Sequence, residues 1–250
     1  MVAPLEPDPE ASAGLGEGMS FPWEWNPDGD PDADADPRTY SDWLDYVFRP
    51  ESSEWRLEIG DGWQPPLCVC VEYLTRLFRE SQELLRDFLE EQLAKGLDHI
   101  SGRIYSDYVA ALFWSEIAWE KRREAIRSIP LVFERLFAVR CTETLSHVGE
   151  PGNPLNCVCY MWWDGFSYYG RPSDSNYATE DAECLAAMKQ VLSLPSIACQ
   201  ESALHGLGHW QRQYPAVVGE AIDEYLASNP GLRPRLRTYA ETRKREMSYS

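Results

Sequence analysis

Two histidines four residues apart, His205 and His209, are the first residues of this chain whose type and spacing could do chemistry. On one face of a helix, that spacing lets two imidazoles reach a single metal ion. The HExxH form is absent, because Gly206 rather than a glutamate base follows His205. Glu201 lies one turn further back, and the three side chains extend over about 12 Å along a helix axis, too far to share one ion without outside ligands. Cys157 or Asp164 could complete such a site only by tertiary placement. Capping, hydrogen-bonded or interface histidines therefore rank above a metal site, and no metal or other cofactor is expected.

Two Cys-x-Cys pairs, Cys68/Cys70 and Cys157/Cys159, invite a zinc reading. Residues two apart on a helix point about 200° from each other, so neither pair can chelate if both lie on helices. The remaining cysteines, Cys141, Cys184 and Cys199, bring the count to seven, an odd number unlike a secreted disulfide framework. Reduced, mostly buried thiols are expected. No Gly-x-Ser-x-Gly, phosphate loop or dinucleotide fingerprint is present, and no serine or cysteine stands out as a nucleophile.

The histidines sit in a segment whose periodicity is helical. From Ser196 to Trp210, the residues Ile197, Cys199, Ala203, Leu204, Leu207 and Trp210 share one arc, and Glu201, His205, His209 and Arg212 the other. Gly206 and Gly208 each cost such a helix about 1 kcal/mol against alanine, which predicts close approach by a neighbouring element. Pro215 suits the first turn of the next helix, whose apolar positions run through Val217, Val218, Ala221, Ile222, Tyr225 and Leu226 and stop at Ser-Asn-Pro-Gly.

Two short amphipathic helices joined by a tight corner resemble one unit of a HEAT-type repeat, and Ala-Leu-His-Gly-Leu-Gly-His resembles the first helix of such a unit. The resemblance covers residues 195–228 and brings no catalytic residues with it. It implies helical hairpins stacked into a solenoid that serves as a binding surface.

Upstream, Tyr40, Trp43, Leu44, Val47 and Phe48 suggest a short helix ending before Pro50. Apolar spacing from Leu67 to Leu93 predicts one long helix or two meeting near Ser81, with Gly96 as a C-terminal stop. A helix is also expected from Ile104 to about Ile126, its later half exposed, and Pro130 is expected to open another that stops near Gly149. The stretch from Pro154 to Phe166 is apolar nearly all round, so it belongs deep in the structure or at an interface. Thr179 is the expected N-cap of a helix running to about Leu194, with Glu180 and Asp181 in its positive first turn. No segment sustains strand alternation.

Residues 1–37 hold seven prolines and almost no aliphatic side chains, the composition of a disordered acidic tail. Its Asp28–Asp36 run has the alternate aspartates of a calcium loop but lacks the sixth-position glycine and the twelfth-position glutamate, which is Thr39. Trp23 and Trp25 in that tail could anchor on a groove or a partner. Residues 38–250 then form one all-helical domain, with a HEAT-like or irregular α-solenoid arrangement. Ten tryptophans and thirteen tyrosines supply a large core.

A net charge of −18 argues against direct binding to nucleic acid or anionic lipid and favours a basic protein partner. The one basic patch, with six basic residues between Arg233 and Arg245, is expected to pair with the acidic tail or body. The N-terminal residues lack a charged and apolar leader, and no run of roughly 18 apolar residues follows, so a cytoplasmic location without a membrane span is expected. The function expected from sequence is therefore non-enzymatic: binding through Trp23, Trp25, Glu201, His205, His209 and Trp210, as in an intracellular inhibitor or immunity protein for a basic toxin or nuclease. A metal-dependent hydrolase using His205 and His209 is the alternative from another class, and an acidic nucleic-acid mimic a further one.

Overall fold

The computed structural model describes residues 39–49, 65–102 and 107–245. The acidic tail with Trp23 and Trp25, and the loop tryptophans Trp55 and Trp63, lie outside the described residues. All regular structure among the described residues is helical, as the periodicities predict. Helix α1 (Tyr40–Phe48) opens on a reciprocal cap in which Thr39 N–H donates to Asp42 at 2.6 Å and Asp42 N–H to Thr39 Oγ1 at 3.3 Å.

Helix α2 (Leu67–Leu84) carries non-helical backbone at Glu80, close to the break expected near Ser81. Helix α3 (Glu90–Ser101) follows. Gly96 does not terminate α3 but sits buried inside it, where the ring of Phe48 occupies the space a Cβ would need. Close packing, not a stop signal, explains this glycine.

No long helix spans Ile104 to Ile126. A 3₁₀ turn at Ala110–Phe113 precedes helix α4 (Trp119–Val132), which runs through Pro130 instead of starting there. Proline removes one helical hydrogen bond, and the next five residues, Phe133–Phe137, widen into a π-helical turn before the last turn at Ala138–Arg140. Helix α5 (Pro154–Met161) is capped by Asn153, which accepts from Leu155 N–H at 3.0 Å, and leads into a 3₁₀ turn, Trp162–Gly165.

Helix α6 (Ala178–Leu192) starts one residue before the expected cap at Thr179, and its first turn has no side-chain cap. Glu180 and Asp181 stand in its first turn as expected. Both are buried in a polar network described below. Helices α7 (Ile197–Trp210) and α8 (Pro215–Ser228) match the expected hairpin, with Ser196 capping α7 and Pro215 in the first turn of α8. Helix α9 (Pro234–Arg245) ends the described chain. Its basic residues meet acidic ones on the body: Arg233 donates to Glu150 at 2.8 Å and Lys244 to Asp223 at 2.5 Å.

The packing forms two rows. In one, α2, α4, α6 and α7 are neighbours in turn; in the other, α1 packs on α3, α3 on α5 and α5 on α7. Helices α8 and α9 close over α7, where the rows meet. Every residue from Ala198 to Leu207 is consequently buried, so α7 has no polar outer face and its supposed solvent side is turned onto neighbouring elements. Trp162, fully buried, is met edge-on by Phe78, Phe133 and Phe137. Trp163 stacks on Phe133 with ring centroids 5.4 Å apart. The π-helical turn is what presents Phe133 to that ring.

Candidate metal centre

The glycines of α7 admit two close neighbours, and the one at Gly206 explains how a loop residue reaches the histidines. A Cβ on Gly206 would lie 2.6 Å from Cγ of Trp163, and one on Gly208 2.5 Å from Cδ of Arg243. Without a side chain at 206, the Trp163 ring lies directly against α7, and its Nε1 donates to Ser202 at 3.0 Å. A Cβ on Gly165 would run into the backbone carbonyl of Ser101 at the end of α3. The 3₁₀ turn is therefore clamped between α3 and α7. Asp164, between the clamped residues, is delivered to the histidines.

His209 Nε2 lies 2.6 Å from Asp164 Oδ1, His205 Nε2 lies 3.2 Å from the same oxygen, and the two Nε2 atoms are 3.1 Å apart. An ion with bonds of about 2.0–2.1 Å to such ligands spans ligand-to-ligand edges of about 2.8–3.0 Å in octahedral and about 3.3–3.4 Å in tetrahedral geometry. The three edges here each lie within about 0.4 Å of the octahedral values. Among the described residues, this is the group of histidine, cysteine, aspartate and glutamate side chains whose ligand atoms converge as a metal site requires, all within 4.8 Å of one another.

His205 is buried, whereas the side chains of Asp164 and His209 are each 29% exposed, so the cluster opens to solvent on one side. Burial pushes the Asp164 carboxyl up, but hydrogen bonds from His205 and His209 and attraction to them outweigh it and hold the group well below the usual carboxylate range. It stays ionised, as a ligand must. Aromatic rings fix the imidazoles: Tyr169 stacks on His209 at 4.5 Å and Tyr160 leans on His205 at 4.4 Å between centroids.

Behind His205 lies a second polar layer. His205 Nδ1 is 3.3 Å from the Tyr239 hydroxyl, which is 3.1 Å from that of Tyr160. His147 stacks on Tyr239 at 4.0 Å, and its Nδ1 pairs with Glu201. Glu201 also accepts the backbone N–H groups of Ser146 and His147, both at 2.9 Å.

Of the residues expected to bind a partner, His205 and His209 are thus brought together with Asp164, but Glu201 is only 1% exposed and held by His147. Trp210 is wholly buried, with its neighbours Tyr168 and Tyr214. Neither can meet a partner in this arrangement: with four helices around α7, both are enclosed within the chain. Cys157 is exposed and outside the cluster. Each Cys-x-Cys pair is split across its helix as the 200° rule requires, with Cys68 and Cys157 exposed and Cys70 and Cys159 buried. Tyr160, Tyr239 and His147 had no local signal, because their partners are distant in the chain.

No protein-family model, curated protein or solved structure matches the chain. Among the described residues, no helix is long and apolar enough to cross a membrane.

Proposed function

We propose that the helical domain binds one divalent transition-metal ion through Asp164, His205 and His209 and acts as a metal-dependent hydrolase. The observation that carries this reading is the convergence of two imidazole nitrogens and a carboxylate oxygen across sequence separations of 41 and 45 residues. Two imidazoles with one carboxylate suit zinc, iron, nickel or copper better than magnesium or calcium. Three protein ligands leave room for water or substrate, as hydrolytic sites do and closed structural zinc sites do not. A bound ion of this kind supplies a water molecule acidic enough to lose a proton near neutrality. The exposed edges of Asp164 and His209 provide the way in.

The test starts from protein stripped with a chelator and titrated with Zn²⁺, Ni²⁺ and Mn²⁺ by calorimetry. One equivalent should bind to the wild-type chain and none to a folded His205→Gln/His209→Gln variant. Metal-loaded protein should then cleave at least one of a panel of ester, amide and phosphodiester reporters that stripped protein leaves intact. Absence of binding, or equal binding by the double variant, sinks the metal reading. Binding without hydrolysis across the panel retires the enzyme and leaves a metal-binding protein.

The charge of −18 favours a second reading, in which a HEAT-like surface covers a basic protein as an inhibitor or immunity protein would. Affinity purification from native cells at low and moderate salt tests it. A single basic protein recovered in near-equal amount supports that reading, and recovery of the chain alone counts against it.

A further inference from the structure

We infer that Tyr239 is a positioning residue for the metal site, accepting the Nδ1 proton of His205 so that Nε2 is free to ligate. The inference rests on the metal reading above. A neutral imidazole carries one proton on its two ring nitrogens, so ligation through Nε2 forces the proton onto Nδ1. In this fold Nδ1 faces the Tyr239 hydroxyl at 3.3 Å, and both side chains are buried. Water therefore cannot easily take that proton's hydrogen bond.

Tyr239 is itself held in place from all sides. His147 stacks against its ring at 4.0 Å, and the Arg243 guanidinium lies over the ring at 4.7 Å. Its hydroxyl has a second partner in Tyr160, 3.1 Å away. The phenol can thus accept from His205 on one lone pair while donating its proton to Tyr160. Metal-ligating histidines characteristically donate their other N–H to an oxygen in this manner, and loss of that oxygen typically costs 10–100-fold in affinity.

Removal of the hydroxyl affects the loaded state specifically. In metal-free Tyr239→Phe protein, His205 can carry its proton on Nε2 and donate to Asp164, so no buried donor is stranded. Metal loading drives the proton to Nδ1, where it has no acceptor, and the desolvation cost falls on metal binding.

The experiment compares Zn²⁺ affinity, by calorimetric competition with a chelator, for wild-type, Tyr239→Phe and Tyr160→Phe chains, with thermal unfolding of each stripped protein as the control for folding. Tyr239→Phe should lose about 10–100-fold in affinity, Tyr160→Phe less, and the stripped proteins should unfold at similar temperatures. Wild-type affinity in Tyr239→Phe overturns the inference and leaves the metal reading intact. Failure of the wild-type chain to bind Zn²⁺ overturns both. Long-range ¹H–¹⁵N NMR on the Zn²⁺-loaded wild-type protein gives a second readout that needs no variant. His205 should be protonated at Nδ1, with slow solvent exchange; a proton on Nε2, or rapid exchange at Nδ1, refutes the role of Tyr239.

Discussion

Two polar clusters in this molecule contain similar residues and reach opposite outcomes. Around α6, Glu180 pairs through one oxygen with Arg122 and through the other with Tyr168 and Arg171. Arg122 also donates to the carbonyls of Ile117 at 3.0 Å and Leu112 at 3.2 Å. The Arg171 guanidinium lies between the rings of Tyr168 and Tyr177, 3.5 and 3.3 Å from their centroids. Asp181 alongside accepts from the Arg171 N–H and the Tyr214 hydroxyl, each at 2.6 Å. Fixed positive charge from Arg122 and Arg171 meets the Glu180 carboxylate on both of its oxygens.

Around α7, by contrast, two imidazole nitrogens point at each other and at one carboxylate oxygen. The Asp164 carboxylate can accept from both imidazoles, and in the metal-binding reading proposed above a divalent cation would take the place of those protons. Burial of charge does not single out the proposed site, since the more deeply buried cluster already pairs its charges internally. Lone pairs converging on one point are the better guide.

The largest expected effect breaks the closed cluster. Glu180→Ala leaves Arg122 buried without its counter-charge and should cost about 3–5 kcal/mol in denaturant unfolding. The paired change Arg122→Met/Glu180→Leu should recover much of that loss. Equal loss in both variants would show that packing, not charge, dominates there.

A buried histidine on α3, outside both clusters, contributes to the pH response. Burial pushes the His99 pKa down from 6.5 to about 4, so the folded state holds this imidazole neutral while the unfolded chain protonates it. Stability from this source is fully present above pH 6.5 and is lost as pH falls toward 4, by up to about 3 kcal/mol. His99→Phe, which keeps the ring contacts to Tyr46 and Tyr108, should flatten stability measured across that range. An unchanged slope would place the acid sensitivity elsewhere.

Gly165→Ala forces a Cβ against the Ser101 carbonyl and should cost about 1–3 kcal/mol, an overpacking effect. Because the strain displaces Asp164, metal affinity should fall with it, which calorimetry on the folded fraction reads directly. The smallest effect on stability is expected at the open cluster. Asp164→Asn should change unfolding of the stripped protein by about 1 kcal/mol or less, as for partly exposed ion pairs, while abolishing metal binding. A large loss of stability in Asp164→Asn would erase the contrast between the clusters.

Much of the helical order was legible from local chemistry. Ser196 and Pro215 mark the starts of α7 and α8, and the spacing from Leu67 onward marks α2 and its break. Errors came where tertiary packing overrode a local signal: Gly96 and Pro130 read as boundaries but lie within helices. The candidate site was half legible. Two histidines at i and i+4 named one side of it, but amphipathic periodicity assigns them to an outer face, and α7 has none. Asp164 lay in an apolar stretch that carries no sign of which helix it will meet. Its placement depends on Gly165, which carried no local signal, and on Gly206, whose cost to the helix predicted a close neighbour without saying that it would be Trp163.

The inward turn of the α7 polar residues also bears on how the chain folds. Their partners are far along the sequence: Tyr239 is 34 residues from His205, Asp164 is 41, and His147 is 54 from Glu201. Contacts of this range are formed against the entropy of closing long loops, so local hairpins such as α7–α8 can form before them. Asp164 must arrive from the N-terminal side before the three atoms of the cluster meet, and Tyr239 from the C-terminal side before His205 gains its second partner. An ion bound there, as proposed above, would stabilise the folded chain by joining segments that no local contact joins.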